Sequence, residues 1–203
     1  MNQFADKASL VKLYDALAAE YDEAFQSGYR ERIQNDIIFT TLEPFLGKSK
    51  CRILDAGGGT GFYSIPLAVK GHEVIILDMS RKTLKVAQSK AKKLRIAERV
   101  RIQHGDMEDV KLPDESLDMV LCHLSLCYVK NPERALSEFS RVLRKAGLLS
   151  LVVENKSFFS IAEAFKGNLQ EAHKRLRTKT LFVTMERLGC FRTFERQQLL
   201  AML

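Results

Sequence analysis

One stretch constrains this chain more than any other: CRILDAGGGTGFYSIPLA, from Cys51 to Ala68. An apolar run ends on an acid, glycines follow at alternating positions, and a helix-like segment begins. That is a strand, a tight turn and a helix, and the rest of the chain repeats the pattern. His72 to Asp78 reads as a second strand, with Ser80 placed to cap the basic helix behind it. Val100 to His104 alternates as a third strand, Leu117 to Cys122 is a fourth with both faces apolar, and Leu148 to Val153 is a fifth. Helical segments fall between them, from about Phe62 to Val69 (closed by Gly71) and from Pro132 to Leu143. Strands separated by helices predict an α/β fold: a doubly wound, mainly parallel sheet covered on both faces.

The flanks are different. Leu10 to about Phe45 is helical in period, with a break near Ser27-Gly28. After Glu154, Phe158 to about Arg177 reads as helix, Leu181 to Cys190 fits neither period, and Thr193 is placed to cap a last helix, Phe194 to Leu203. The spans predict one domain in three parts: an N-terminal helical lid (1–48), a core (49–155) and a helical C-terminal segment (156–203). With 203 residues, 46% of them hydrophobic, there is enough apolar surface for a sizeable core. No run is long enough to span a membrane, and the N-terminus lacks the pattern of a secretory signal, so a cytoplasmic protein without a membrane partner is expected. Cys51, Cys122, Cys127 and Cys190 form no CxxC pair and have no zinc-type His spacing, which predicts buried free thiols and no metal.

The net charge is +7, and basic residues gather between Arg81 and Arg101, where Glu98 is the one acid. Such a stretch is either a solvated helix face or an attraction for anionic partners such as RNA.

Chemically suggestive residues cluster at strand ends. Asp55 to Gly61 follows the first strand, Asp78 closes the second, Asp106 follows the third and His123 the fourth. In a doubly wound sheet that edge is where ligands bind. The glycine spacing is D-x-G-x-G-x-G (Asp55, Gly57, Gly59, Gly61), and Phe62 stands where a dinucleotide fingerprint needs its third glycine. Asp55 would also repel a pyrophosphate, which argues against an NAD-dependent oxidoreductase, and no Lys-Ser/Thr pair completes a phosphate loop. S-adenosyl-L-methionine suits the acids better. Its ammonium and sulfonium are cationic, its ribose hydroxyls can donate to Asp78, and its adenine amino group can donate to Asp106 with Met107 against the ring.

These motifs, LDAGGGTG (Leu54 to Gly61), VIILDMS (Val74 to Ser80), HGDMEDVKLPDESLDMVLCHLSLCYV (His104 to Val129) and NPERALSEFSRVLRKAG (Asn131 to Gly147), resemble class I S-adenosylmethionine-dependent methyltransferases of the small, single-domain, type 11-like kind. The resemblance implies a Rossmann-like sheet of order 3-2-1-4-5. It also implies that Asp55, Ala56, Gly57, Gly58, Gly59 and Gly61 contact the methionine part. Asp78 would hold the ribose, with Met79 and Ser80 also among the cofactor-binding residues, Asp106 with Met107 the adenine, and His123 and Leu124 would lie beside the cofactor. Tyr21 matches a lid tyrosine that closes over the cofactor. Short motifs, with Cys122-His123 and Arg32 upstream, are similar to the branch that methylates carboxymethoxyuridine in tRNA, where Arg32 would meet the cofactor carboxylate.

Two departures stand out. Lys145-Ala146-Gly147 replaces the family's Pro-Gly-Gly turn, and the family's sixth and seventh strands have no counterpart before Leu203. A trimmed fold or a longer native chain is expected, with the fifth strand at a sheet edge.

Methyl transfer requires alignment in a dry cavity, and a base only where the nucleophile carries a proton. His123 is the candidate base, with cofactor contact or packing as its other role, and no catalytic residue is assigned. Tyr14, Tyr21, Tyr29 and Tyr128 are candidates to line an acceptor pocket. The expected acceptor is a small molecule or a modified nucleoside in RNA, with S-adenosyl-L-homocysteine as coproduct and a monomer or homodimer as the working unit. A silent cofactor-binding module acting as scaffold or sensor is the alternative.

Overall fold

The computed structural model describes residues 6–23, 28–47, 49–185 and 188–203. Among the described residues the chain opens with α1 (Lys7–Leu17), capped by the Asp6 carboxylate, and α2 (Tyr29–Leu46). Then come β1 (Arg52–Ala56), α3 (Ser64–Val69), β2 (Glu73–Asp78), α4 (Arg81–Lys93), β3 (Val100–His104), β4 (Leu117–His123), α5 (Pro132–Val142) and β5 (Leu143–Val152). Ser80 caps α4 as expected, its hydroxyl accepting from the Thr83 amide at 3.2 Å.

The five strands form one parallel sheet of order β3-β2-β1-β4-β5. Successive side chains feed opposite faces, which is why the strands read as almost continuous apolar runs. Leu54, Ile75, Leu77, Val120 and Cys122 join Leu136 and Phe139 of α5 in one core. Ile53, Val74, Ile76, Met119 and Leu121 join Ile38, Leu42 and Leu46 of α2 in the other. Acidic residues stand toward the strand ends, Glu73 and Asp118 at the N-terminal side and Asp55 and Asp78 at the C-terminal side, because the middles of the strands are apolar and buried on both faces.

The fifth strand starts earlier than the sequence predicts. Leu117 pairs with Leu143, but Met119 pairs with Leu148, so Lys145-Ala146-Gly147 forms an irregularity within β5, where Ala146 has φ 60°.

The C-terminal part is not helical throughout. Two helices, α6 (Lys156–Phe165) and α7 (Leu169–Arg177), are split at Gly167, whose φ is 84°. The ambiguous segment is an antiparallel hairpin of β6 (Phe182–Met185) and β7 (Gly189–Arg192), outside the main sheet. A short α8 (Arg196–Leu200) follows. Thr193 does not cap it; its hydroxyl donates instead to the Leu181 carbonyl at 3.0 Å, tying down the hairpin. The exit of β5 is partly covered, since Phe194 N–H donates to Glu154 O and Lys156 N–H donates to Phe194 O. That short parallel bridge extends the ladder beyond β5 and shields the edge there.

Candidate cofactor and acceptor site

The strand ends open into one cavity, walled by the turn after β1, the end of β2, the loop after β3 and the end of β4. Asp55 is 2% exposed, and its Oδ2 is fully buried without a hydrogen-bond donor in good geometry. Burial pushes its carboxyl up to about 6, against a smaller pull from the Ser64 hydroxyl. Asp78 is better satisfied. One carboxylate oxygen accepts from the Gly59 amide at 3.0 Å and the other from the Ser80 amide at 2.7 Å. Burial raises its pKa nonetheless, with those amides opposing the shift.

The glycines between these acids do more for the chain's own packing than for access. A Cβ on Gly57 would stand 2.5 Å from Ser125 Cβ and 2.9 Å from Met107 Cε, and φ there is 75°. On Gly58 it would strike the Asp55 carboxyl at 2.5 Å. The Gly57 and Gly58 amides both donate to Leu77 O, so the turn is clamped to the end of β2. Gly57 and Gly58 thus leave room for Ser125, Met107 and Asp55, all three of which line the cavity.

After β3, Asp106 turns its Oδ1 to the Glu108 amide at 2.9 Å, and its other oxygen pairs with Lys7 of α1. Lys7 also lies 3.4 Å from Glu108. At the end of β4, His123 is 6% exposed, with Nε2 2.9 Å from Ser150 Oγ and its ring edge-on to Tyr63 at 4.9 Å. Burial lowers its pKa to about 4, so the imidazole is neutral at neutral pH. Leu124 follows at φ 56°, a left-handed conformation unusual for leucine. It is held by its amide donating to Val152 O at 2.7 Å, while the Ser125 hydroxyl donates to Ala56 O at 2.8 Å.

Of the N-terminal segment expected as a lid, α1 and the residues just after it border this cavity, whereas α2 packs its Ile38, Leu42 and Leu46 against the sheet. The Asp15 carboxylate accepts from the Ser80 hydroxyl at 2.6 Å, and Asp22 accepts from the Thr60 hydroxyl and from Lys90, each at 2.6 Å. Tyr14 and Tyr21 come down into the cavity with centroids 6.1 Å apart, and Tyr14 meets Tyr128 edge-on at 5.7 Å. The hairpin lies outside the lining and braces it through Tyr128. Tyr128 Oη donates to Leu188 O at 3.0 Å, and Gly189 lies close to the Leu13 side chain of α1.

Among the expected site residues, Tyr21, Asp55, Gly57, Gly58 and Gly59 line the cavity. So do Asp78, Met79, Ser80, Asp106, Met107, His123 and Leu124. Three do not. Ala56 and Gly61 stand behind the turn, Gly61 against Ile65 and Ile76, and Arg32 is exposed on α2 outside the lining. Tyr29 is 74% exposed and lines nothing here. Lys7, Thr60, Phe62, Tyr63, Glu108 and Ser125 were missed, although Thr60, Phe62 and Tyr63 sit within or directly after the glycine turn.

The donor set fits S-adenosylmethionine. Asp55, Asp78, Asp106 and Glu108 face one cation, Lys7, among the described lining residues, so the cavity favours a ligand with positive charge and hydrogen-bond donors. The buried Oδ2 of Asp55 lacks such a partner. No group of residues able to hold a metal occurs among those described.

Residues 54–151 match the protein family described as methyltransferase domain. The chain is 29% identical over 159 residues to the tRNA 5-carboxymethoxyuridine methyltransferase of Escherichia coli, covering 76% of this chain and 61% of that protein. It is 30% identical over 171 residues to the malonyl-[acyl-carrier protein] O-methyltransferase of Buchnera aphidicola, covering 80% and 64%. It thus spans less than two thirds of the length of these relatives. A Thermotoga maritima crystal structure, described as an S-adenosylmethionine-dependent methyltransferase and possible histamine N-methyltransferase, superposes with a TM-score of 0.65 at 23% identity, covering 95% of this chain and 78% of that one.

Proposed function

We propose that this chain is a class I S-adenosylmethionine-dependent methyltransferase, its residues 54–151 matching the family described as methyltransferase domain, and that it transfers a methyl group from S-adenosyl-L-methionine to a small-molecule acceptor by in-line displacement. The observation that carries the reading is the arrival of Asp55, Asp78 and Asp106, from three strand ends, on one covered cavity. S-adenosylmethionine, when bound, supplies a methyl group activated by a cationic sulfur. Everything else falls to the chain.

Asp78 would accept from the ribose hydroxyls, since each of its oxygens keeps lone-pair capacity beyond the Gly59 and Ser80 amides. Asp106 would accept from the adenine amino group, with Met107 beside the ring. Asp55 would offset the ligand's positive charge, and the turn from Gly57 to Gly59 would carry the methionine part. Tyr14 and Tyr21 exclude water from the reacting end, where alignment and dryness contribute most of the acceleration. His123 is a neutral imidazole beside the cavity, able to accept a proton from an acceptor that has one to lose.

An acceptor within RNA is the second reading, supported by the basic α4. Its strand-side positions Thr83, Leu84, Ala87 and Ala91 are buried while Arg81, Lys82, Lys92 and Lys93 stay exposed.

The test is calorimetry with S-adenosylhomocysteine on the parent and on Asp78→Ala, followed by a methyl-transfer screen over metabolite pools and unmodified tRNA. Asp78→Ala should weaken binding by more than about tenfold while the fold persists. Equal affinity in both proteins would sink the reading. Tight binding with no coproduct from any acceptor would support the silent module instead.

A further inference from the structure

We propose that the acceptor is an uncharged aromatic ring, received among Tyr14, Tyr128, Phe62 and Tyr63, and that anionic acceptors are turned away. The inference rests on the methyl-transfer reading and names the substrate class of that same cavity.

Two features carry it. The first is the wall. Tyr14 and Tyr128 meet edge-on at 5.7 Å, Phe62 and Tyr63 at 5.1 Å, and both pairs line the cavity. Tyr21 lines the same cavity, its ring centroid 6.1 Å from that of Tyr14. Leu124 and Val129 add aliphatic surface. Rings set edge-on around a slot offer faces and edges to another ring, an arrangement favoured over simple apolar burial.

The second feature is charge. An anionic acceptor, such as a carboxylate, needs a cation to replace the water it loses. Lys7 is the one cation among the described lining residues, and it is already paired with Asp106 and Glu108. Its counterweight is four carboxylates on the same wall. His123 adds no positive charge, because burial keeps it neutral. Arg32, which the resemblance placed at the cofactor carboxylate, stands exposed outside the lining and adds no positive charge there.

Nor are the rings free to drift. Tyr63 Oη donates to Asn35 Oδ1 of α2 at 2.9 Å, and Tyr128 Oη donates to Leu188 O beside the hairpin. Two different parts of the fold, α2 and the residue before β7, therefore hold these two rings. Tyrosines whose hydroxyls are engaged this way present their rings to a ligand and not their polar ends.

The test uses a matched pair of probes, 1-naphthol and 1-naphthoate, titrated by calorimetry into the full chain near neutral pH with S-adenosylhomocysteine present. The expected result is naphthol binding at least about tenfold tighter than naphthoate. Tyr14→Leu should weaken naphthol by about tenfold, and Tyr14→Phe should retain it, because the ring and not the hydroxyl makes the contact. Naphthoate binding as tightly as naphthol overturns the proposal, as does a chain that takes up S-adenosylhomocysteine but no naphthol. Unchanged naphthol affinity in Tyr14→Leu does so too. If Tyr14→Leu fails to fold, Tyr14→Phe and the probe pair on the parent still decide. A chain that binds naphthol selectively but not S-adenosylhomocysteine would sink the methyl-transfer reading and leave the ring subsite standing.

Discussion

At the scale of single residues, the site contains two buried ionisable groups whose environments push them in opposite senses. Asp55 has its pKa raised to about 6, so the folded state holds a proton that the unfolded chain releases between about 4 and 6. Its contribution is favourable at the acid end of that window and is lost as pH rises through it. His123 is lowered to about 4, so the unfolded chain binds a proton first as pH falls, and stability is lost between about 6.5 and 4. Relative to the parent, Asp55→Asn should therefore be more stable above pH 6, by on the order of 2–3 kcal/mol, with the gain shrinking toward pH 4. His123→Asn should gain on the parent as pH falls through the same range. Urea midpoints measured across pH check both, and parallel curves for parent and variants would refute the assignment. Gly57→Ala should cost about 1–3 kcal/mol, since its φ is 75° and the new Cβ would meet Ser125. Thermal unfolding reads that loss.

At the scale of elements, α1 is the part whose placement depends most on polar fastening. Leu10 is the one residue buried along its 11-residue length, so apolar burial alone gives it little hold. Lys7, Asp15 and the nearby Asp22 bind it to the loop after β3, to the start of α4 and to the glycine turn. Double substitution Asp15→Ala/Asp22→Ala should raise amide exchange across residues 7–17 by about tenfold or more and weaken S-adenosylhomocysteine, leaving the sheet protected. Exchange by mass spectrometry measures this. Uniform loss of protection would mean that these pairs support the whole fold and not the lid. The hairpin β6–β7 acts from the other side, through Tyr128 and Leu13.

At the scale of the whole molecule, the basic surface and the acidic cavity are separate features. The exposed basic residues of α4, Arg81, Lys82, Lys85, Lys92 and Lys93, lie outside the cavity lining, whereas Asp55, Asp78, Asp106 and Glu108 line it. Binding of an uncharged ring should accordingly be almost independent of salt, whereas a tRNA bound through α4 would lose affinity steeply as salt rises and again when Lys92, Lys93 and Arg95 are neutralised. Filter binding at graded salt separates the two readings. How much of this was legible beforehand follows from distance along the chain. The order of strands and helices, the Ser80 cap and the three strand-end acids could be read directly, because strand burial and caps are set by residues within a few positions of each other. The hairpin was not legible, since Leu181 to Cys190 is held by Thr193 and Tyr128 and not by its own period. By itself, then, the sequence determined the succession of strands and helices and the acidic edge, local consequences of apolar alternation and glycine spacing. The charge of those acids pointed to the class of ligand, while the order of the sheet came with the resemblance to a known family. Only the tertiary structure decided that Lys7 is committed to Asp106, that Arg32 stands apart, and that five rings from distant segments share one slot with His123. Those are pairings between residues far apart in sequence, and packing, not local preference, selects them. For the opening turn, the same packing shows its glycines making room for Ser125, Met107 and Asp55.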